Sequence, residues 1–191
     1  MWQKQQLRQR IRAKRLLLSD TVVHTCARAV TRHLLQQPEF RNAQHIALYM
    51  SFNNEISTQS IFDKALRLHK SCYLPSITST HHLNFYKVDV DTLLCKNRFG
   101  IFEPRSHAKA RYAHQFDLIL VPLVAFDKAL HRLGMGGGYY DRTFAFKPPA
   151  SKPYLVGLGY DFQKVNQLPY SNLDVSLDMV VTEKRIYRKP I

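Results

Sequence analysis

The sequence predicts an α/β fold, a three-layer α/β/α sandwich with a mainly parallel, Rossmann-like sheet. Residues 45–77 follow the order strand, helix, strand, which is typical of a βαβ unit with parallel strands. The run "LILVPLVAF" (118–126) is apolar at almost every position, as in a central strand that helices cover on both faces. Further strands are expected at the apolar stretches 83–88, 153–160 and 178–182.

Two helices are predicted before the first strand. Leu7, Ile11 and Leu18 lie near one helical face, with Lys and Arg around them. Ser19 can cap a second helix, and Pro38 marks its end. The apolar positions of this second helix recur with a period of about 3.5 residues, at Val23, Ala27, Val30 and Leu34.

The βαβ unit follows these helices. "HIALYMSF" (45–52) predicts its first strand, residues 58–70 its helix, and "SCYLPSI" (71–77) its second strand. "NNEIS" forms the turn between the first strand and the helix. Because ligands of such folds bind beyond the carboxyl ends of the strands, the loop at residues 132–141, which follows the apolar run, is expected at a binding site.

Composition limits the class of protein. The 191 residues suit one domain, 1–191, and no apolar run approaches the roughly 20 residues of a membrane helix. Three separated cysteines indicate neither a disulfide framework nor a zinc site, so a reducing compartment, the cytoplasm, is expected. The net charge of +14 attracts anions and is compatible with nucleic acid or with polyanionic small molecules.

The basic N-terminus has two interpretations. "MWQKQQLRQRIRAKRLLLS" has no acidic residue, and its apolar "LLL" is too short for a secretory signal peptide. An amphipathic, Arg-rich stretch is compatible with a mitochondrial transit peptide, but we favour a helix of the mature protein.

The stretch "RLGMGGGYYD" (132–141) has four glycines in five positions. Such a loop exposes backbone amides that can bind phosphate oxygens, although its spacing matches neither a P-loop nor the dinucleotide fingerprint. The alternative is a flexible connection without a ligand. Arg132 and Asp141 flank the loop with a phosphate-pairing cation and a carboxylate suited to Mg²⁺, and this favours nucleotide binding.

"RLGMGGGYYDR" and the preceding "VPLVAFD" resemble the signature of the 5-formyltetrahydrofolate cyclo-ligase family. The resemblance extends over most of the chain, through "KQQLR", "LYMSFNNEIST", "YLP", "IFEP", "VGLGYDFQKVNQLP" and "DVSLDMVVTE". It implies an α/β fold and a C–N bond-forming ligase. It also implies the ATP- and Mg²⁺-dependent closure of 5-formyltetrahydrofolate to 5,10-methenyltetrahydrofolate, with release of ADP and phosphate.

The resemblance also implies roles for individual residues. Lys4 and Arg8 match the family's basic pair on ATP, and Asp141 and Asp178 match its Mg²⁺ ligands. Arg132 and Asp141 would be catalytic. The expected phosphate loop comprises Arg132, Gly134, Gly136, Gly137, Gly138, Tyr139 and Tyr140. Taken alone, the same residues could form a solvated basic helix face, complement a helix dipole (Asp141) or begin a strand (Asp178).

A folate site is implied beside this loop. Glu55 matches a substrate-contacting acid of the family, and a carboxylate is a suitable acceptor for the N–H donors of a reduced pterin. Met50 and Phe52 could line the pterin pocket or pack in the core. Met135 is also an expected substrate contact, at a position where some family members carry a basic residue. The remaining expected substrate contacts are Gly136, Gly137, Gly138 and Tyr139.

The implied reaction needs no protein nucleophile. The γ-phosphoryl group would pass to the formyl oxygen, N10 would attack the activated carbon, and phosphate would leave. None of the nine histidines therefore receives a catalytic role. The protein is expected to be a monomer that acts on small molecules, 5-formyltetrahydrofolate and ATP. No nucleic acid or membrane partner is expected. A nucleic-acid binder and another phosphate-handling enzyme remain the alternative classes.

Overall fold

A seven-stranded sheet organises the chain in the computed structural model, which describes residues 2–105, 109–148 and 151–189. The strands are β1 (His45–Ala47), β2 (Ser71–Ile77), β3 (Leu83–Val88), β4 (Leu94–Lys96), β5 (Phe102–Pro104), β6 (Leu118–Pro122), β7 (Ala125–Phe126), β8 (Arg132–Leu133), β9 (Tyr154–Leu158), β10 (Met179–Val181) and β11 (Ile186–Arg188). The helices are α1 (Trp2–Leu16), α2 (Asp20–Leu35), α3 (Pro38–Asn42), α4 (Gln59–Arg67) and α5 (Tyr139–Phe144), with 3-10 turns at Ala113–Gln115 and Asp161–Gln163.

The main sheet has the strand order β11-β10-β9-β6-β1-β2-β3. Its five inner strands run parallel to one another. The two edge strands, β3 and β11, are antiparallel to the strands beside them. The predicted α/β class with a mainly parallel sheet is therefore confirmed, and β1, α4 and β2 form the predicted parallel βαβ unit.

The central strand β6 is covered on both faces, as its apolar sequence predicts. Leu118 and Leu120 pack into a core with residues of α2 and α4. Ile119 and Val121 point to the other face, where Phe144 of α5 belongs to a second core. This alternation explains why the strand reads as continuously apolar, because each face of the sheet has its own core.

Three local features differ from the sequence-based expectations. The first strand ends at Ala47 rather than at residue 52, although Leu48 and Tyr49 stay buried. The apolar run 117–126 contains two strands: β6 stops at Pro122, and β7 pairs with β8 in a separate hairpin. The β4–β5 hairpin was not predicted, because the residues of β4 are exposed and show no apolar alternation. Burial alone does not distinguish a strand from a buried turn.

The predicted second helix is confirmed. Ser19 is its N-cap, and its Oγ accepts a hydrogen bond of 3.5 Å from the backbone N–H of Val22. The buried face of α2 carries Ala27, Val30 and Leu34. Pro38 does not extend α2 but opens the short helix α3. No helix in the described part of the chain combines the length and the apolar character that a bilayer span requires.

The strand order creates a switch point beside β1. From β1 the chain passes to β2 on one side, and it returns later to place β6 on the other side. Connections that leave β1 and β6 in opposite directions open a crevice at the carboxyl ends of these two strands. The fold thus directs a ligand to the region beyond Ala47 and Pro122.

Candidate functional site

A cavity of about 540 Å³ lies in this crevice. Tyr49 and Met50 line it after β1, and Pro122 and Leu123 line it at the end of β6. Its other walls come from α1, the β4–β5 hairpin and the loop at residues 134–138, which we call the glycine loop. Every predicted site residue except Asp178 lines this cavity, including Met50, Phe52 and Met135.

The glycine loop leads from the β7–β8 hairpin into α5. Gly136 has a φ of 107° and Gly138 a φ of 66°, conformations that residues with a Cβ rarely adopt. Gly138 is the N-cap of α5, which begins at Tyr139. Because β7 and β8 intervene, the loop does not follow the central strand directly. It still faces the carboxyl end of β6 across the cavity.

Arginine side chains lie against the backbone of the glycine loop. The Nε of Arg8 donates a hydrogen bond of 2.8 Å to the carbonyl of Gly134. The Nη1 of Arg142 donates one of 2.7 Å to the carbonyl of Gly137. A Cβ added to Gly134 would lie 3.1 Å from Nη1 of Arg132. Residues 134–138 have no charged side chain, but three arginines lie against them.

Arg132 and Asp141 form an ion pair inside the cavity. The Nη2 of Arg132 donates a hydrogen bond of 2.8 Å to Oδ1 of Asp141. The same oxygen accepts a bond of 3.0 Å from the backbone N–H of Val175. Arg132 is almost fully buried, with 5% of its side chain exposed, while 25% of Asp141 is exposed. The second oxygen of Asp141 is thus the one left for a ligand.

A second carboxylate of the cavity, Asp174, was missed in the sequence. Its Oδ2 accepts a hydrogen bond of 3.0 Å from Nζ of Lys4, and both side chains line the cavity. Asp174 directly precedes Val175, whose backbone N–H donates a hydrogen bond to Asp141. This bond connects the segment that carries Asp174 to the Asp141 carboxylate. The signal that could have identified Asp174 is its position inside the β9–β10 loop rather than at a strand.

Asp178, the expected second metal ligand, lies away from the cavity. Its carboxylate pairs with Nζ of Lys147 at 3.0 Å and accepts a bond of 2.8 Å from the N–H of Leu155. Asp178 directly precedes β10, at the amino end of a parallel strand, whereas the cavity lies at the carboxyl ends. Among the described residues, no cluster of three or more His, Cys, Asp or Glu side chains could hold a metal ion.

Glu55 lies at the part of the cavity next to the last turn of α1, away from Lys4 and Arg8 in the first half of this helix. Its side chain is 10% exposed, and Oε2 accepts a bond of 3.2 Å from the N–H of Phe52. Burial raises the pKa of Glu55, while the charge of Arg15, whose Nη1 is 3.6 Å from Oε1, acts in the opposite direction. Met50 and Phe52 line the cavity beside it. This end combines one buried acid with apolar walls.

The β4–β5 hairpin closes one side of the cavity with apolar side chains. Phe99, Ile101 and Phe102 line the wall. Arg98, beside them, donates a hydrogen bond of 2.8 Å to the hydroxyl of Tyr139. The ring of Phe99 meets the Tyr139 ring edge-on, with centroids 6.2 Å apart. The hairpin and the start of α5 therefore form one continuous aromatic surface.

Comparison with known proteins identifies relatives along nearly the whole chain. The model of the 5-formyltetrahydrofolate cyclo-ligase family matches residues 1–183. A 5-formyltetrahydrofolate cyclo-ligase of Haemophilus influenzae is 40% identical over 178 residues, covering 91% of this chain and 94% of that protein. A protein of the same name from Escherichia coli K12 is 32% identical and covers 93% of this chain and 98% of its own length.

Solved structures resemble the fold described above. The NMR structure of Aquifex aeolicus 5,10-methenyltetrahydrofolate synthetase superposes with a TM-score of 0.83 at 33% identity, covering 97% of this chain and 92% of that chain. A 5,10-methenyltetrahydrofolate synthetase from Mycoplasma pneumoniae has a TM-score of 0.75 at 26% identity, covering 94% and 98%.

Proposed function

The chain belongs to the 5-formyltetrahydrofolate cyclo-ligase family, and from this premise we propose how its cavity converts 5-formyltetrahydrofolate to 5,10-methenyltetrahydrofolate with ATP. The observation that carries the proposal is the division of one cavity into two ends. A cationic end contains the glycine loop, and an apolar end contains the buried acid Glu55. A nucleotide and a pterin need surroundings of these two kinds.

The triphosphate of ATP is assigned to the cationic end. Lys4 and Arg8 of α1 and Arg132 of β8 all line this part of the cavity. Lysine and arginine make charge-assisted hydrogen bonds to phosphate oxygens, and glycines let backbone amides approach the same oxygens. Because Lys4 pairs with Asp174 and Arg132 with Asp141, binding of phosphates would rearrange both pairs.

The donor set of this end also fits Mg²⁺. Asp141 and Asp174 both face the cavity with carboxylate oxygens, which hard cations prefer. Two carboxylates suffice, since Mg²⁺ is commonly held by one or two carboxylates together with substrate phosphates. When bound, the ion neutralises charge on the phosphate oxygens. In this proposal Asp174 takes the place that the family resemblance implied for Asp178.

The pterin of the folate is assigned to the other end. Glu55 can accept hydrogen bonds from the N–H groups of the pterin, and Met50 and Phe52 offer apolar contacts to its rings. Tyr139 also lines the cavity, against Phe99 of the β4–β5 hairpin. The formyl group on N5 would then face the γ-phosphate near the glycine loop.

The reaction follows from this alignment. The formyl oxygen attacks the γ-phosphorus, the bond to the bridging oxygen breaks, and ADP leaves. N10 then attacks the activated carbon and loses its proton, and the carbon–oxygen bond breaks to release phosphate. Arg132, Lys4 and the loop amides hold the transferring group in line and stabilise its charge. Exclusion of water by the β4–β5 hairpin protects the phosphorylated intermediate from hydrolysis.

An absorbance assay for methenyltetrahydrofolate tests the proposal directly. The protein is mixed with 5-formyltetrahydrofolate, with and without ATP and with and without Mg²⁺. We expect the methenyl absorbance to rise only when ATP is present, and to require a divalent cation. No absorbance change with ATP and Mg²⁺, or an equal rise without ATP, would contradict the proposed activity.

The cellular setting belongs to the same proposal. Cys26, Cys72 and Cys95 are unpaired thiols, which supports a reducing compartment such as the cytoplasm. A monomer that acts on small molecules, without nucleic acid, stays a prediction. Light scattering of the purified protein, with and without added RNA, tests both points.

A further inference from the structure

Arg15 is a buried cation that does not line the cavity. It lies in the last turn of α1, and only 1% of its side chain is exposed. Its Nε donates a hydrogen bond of 2.8 Å to the carbonyl of Asn53, and its Nη1 lies 3.6 Å from Oε1 of Glu55. Its Nη2 is buried without a hydrogen-bond partner among the described residues. Removing a guanidinium ion from water is costly, so a buried arginine requires partners that offset the loss of hydration.

The turn that carries Glu55 is tied to α1 at the same place. Asn53 and Asn54 have φ values of 50° and 58°, in the left-handed region that is rare for residues with a side chain. Nδ2 of Asn54 donates a bond of 3.2 Å to the carbonyl of Arg15. The hydroxyl of Tyr160 donates one of 2.9 Å to the carbonyl of Asn54. These contacts hold the turn in one conformation and so fix the direction of Glu55.

Of the two residues Arg15 and Glu55, only Glu55 lines the cavity. Glu55 lines it, whereas Arg15 lies behind Glu55, on the side away from the ligand space. A buried ion pair is weak evidence for stability, since desolvation offsets the attraction between the charges. The pair does have one certain effect, which is to favour the charged form of a carboxylate that burial would otherwise neutralise.

We propose that Arg15 is a positioning residue, which holds the Glu55 carboxylate charged and directed at the pterin ring of the folate. The proposal rests on the function proposed above, because it takes Glu55 as the pterin contact. It assigns no contact between Arg15 and either substrate. Lys4 and Arg8, on the same helix, face the nucleotide end instead, so α1 serves both ends of the cavity with different residues.

The charges around Glu55 agree with this role. Burial raises the pKa of Glu55, and Arg15 opposes this shift most strongly, followed by the N–H of Phe52 and by Arg12. Tyr49, Tyr140 and Tyr160 also approach the carboxylate, and burial raises the pKa of each of these phenols, so they are neutral there at physiological pH. Loss of Arg15 therefore removes the largest influence that keeps Glu55 ionised.

The test compares Arg15→Met with Arg28→Met, a control on the exposed side of α2. For Arg15→Met we expect the KM for 5-formyltetrahydrofolate to rise at least roughly tenfold, with the KM for ATP changing less than about twofold. The acid limb of the pH profile of kcat/KM for folate should move to higher pH, because that limb reports the essential carboxylate of the free enzyme. The control should change neither constant nor the pH profile.

Two further variants complete the design. Arg15→Lys keeps the charge but loses the planar fork, so the folate KM should rise while the acid limb stays near its wild-type position. This variant also serves if the methionine variant does not fold. In the double variant Arg15→Met, Glu55→Gln, the folate KM should equal that of Glu55→Gln alone, because a positioning residue has no effect without the group it positions.

The outcomes separate this inference from the proposed function. A raised folate KM in Glu55→Gln together with an unchanged folate KM and pH profile in both Arg15 variants would overturn the role of Arg15 alone. Equal losses for both substrates in the Arg15 variants, with the acid limb unmoved, would also overturn it and leave Arg15 a structural residue. A normal folate KM in Glu55→Gln would instead remove the pterin from Glu55, and with it this inference.

Discussion

Arg132 and Asp141, nine residues apart, are joined across the glycine loop by a hydrogen bond of 2.8 Å. The pair brings a cation and a carboxylate to one point of the cavity before any phosphate arrives. Two interpretations of Asp141 are compatible with this pair. Asp141 binds a ligand through its carboxylate, or it only complements the dipole of α5.

Asp141→Asn tests these interpretations. A dipole role predicts a loss of only about 0.3–1 kcal/mol in the free energy of unfolding, with turnover preserved. A role toward Mg²⁺ and phosphates predicts at least roughly a hundredfold fall in kcat/KM, equivalent to about 2.7 kcal/mol, and a higher Mg²⁺ requirement. We expect the second result. Steady-state kinetics over a Mg²⁺ titration checks it, and near-normal turnover with unchanged Mg²⁺ dependence would exclude the metal role.

Asp174→Asn and Asp178→Asn form a matched pair. Asp174 lies in the cavity, so its variant should need more Mg²⁺ and should bind ATP more weakly. Asp178 pairs with the buried Lys147, so its variant leaves a buried charge uncompensated and should lower the melting temperature while Mg²⁺ dependence stays unchanged. Thermal unfolding and Mg²⁺ titrations of both variants decide the assignment. The reverse pattern would restore Asp178 as the metal ligand.

Lys4→Ala combined with Arg8→Ala should weaken ATP more than folate. Each cation lost removes a charge-assisted hydrogen bond worth about 1.5–3 kcal/mol, so the KM for ATP should rise at least roughly tenfold. The folate KM should change little, because the pterin is assigned to the Glu55 end. Arg10→Ala, on the exposed side of α1, is the control. Equal weakening of both substrates would refute the assignment of these cations to ATP.

Gly137→Ala should disturb the site through Tyr139. A Cβ at Gly137 would collide with Cε2 of the Tyr139 ring, so the ring has to move. Movement breaks the bond from Arg98 to the Tyr139 hydroxyl and disturbs the aromatic surface that Tyr139 forms with Phe99. We expect affinity for both substrates to fall by roughly tenfold, equivalent to about 1.4 kcal/mol. Unchanged KM values for ATP and folate would show that the ring position is unimportant.

Glu55→Gln should change the pH dependence of stability. Burial raises the pKa of folded Glu55 above that of the unfolded chain, about 4.3. The wild type is therefore penalised as pH rises above about 4 and through the folded pKa, where the buried carboxyl ionises. The glutamine variant has no such penalty, so its stability relative to the wild type should increase over this window. Urea unfolding between pH 4 and 8 measures the difference, and parallel curves would contradict it.

Site residues could be predicted from the sequence when their partners lie close along the chain, and they were missed when their partners lie far away. Arg132, the glycines and Asp141 occupy ten consecutive residues, so their association was visible in the sequence. Asp174 was missed because its partner, Lys4, is 170 residues away. Only the strand directions decide between the two carboxylates, because Asp178 comes at the amino end of β10.

The parallel sheet was predictable because each buried strand is apolar on both faces, as Leu118 to Val121 are. The wall formed by Phe99, Ile101 and Phe102 could not be predicted. The residues of this short hairpin show no hydrophobic periodicity that would distinguish a binding surface from an ordinary loop. Arg15 was missed for a different reason. It was counted among the many cations of α1, although its spacing from Ile11 and Leu18 places it on their apolar face, where it is buried.

The contacts of α1 with residues far along the chain have a consequence for folding. Arg8 meets Gly134 across 126 residues, and Lys4 meets Asp174 across 170. Contacts between such distant segments form late, because the closure of a long loop costs entropy before the contact compensates for it. Because synthesis proceeds from the N-terminus, α1 leaves the ribosome before residue 174 does. With Lys4 and Arg8 assigned to ATP as proposed above, the nucleotide site is complete only after residue 174 has packed against α1.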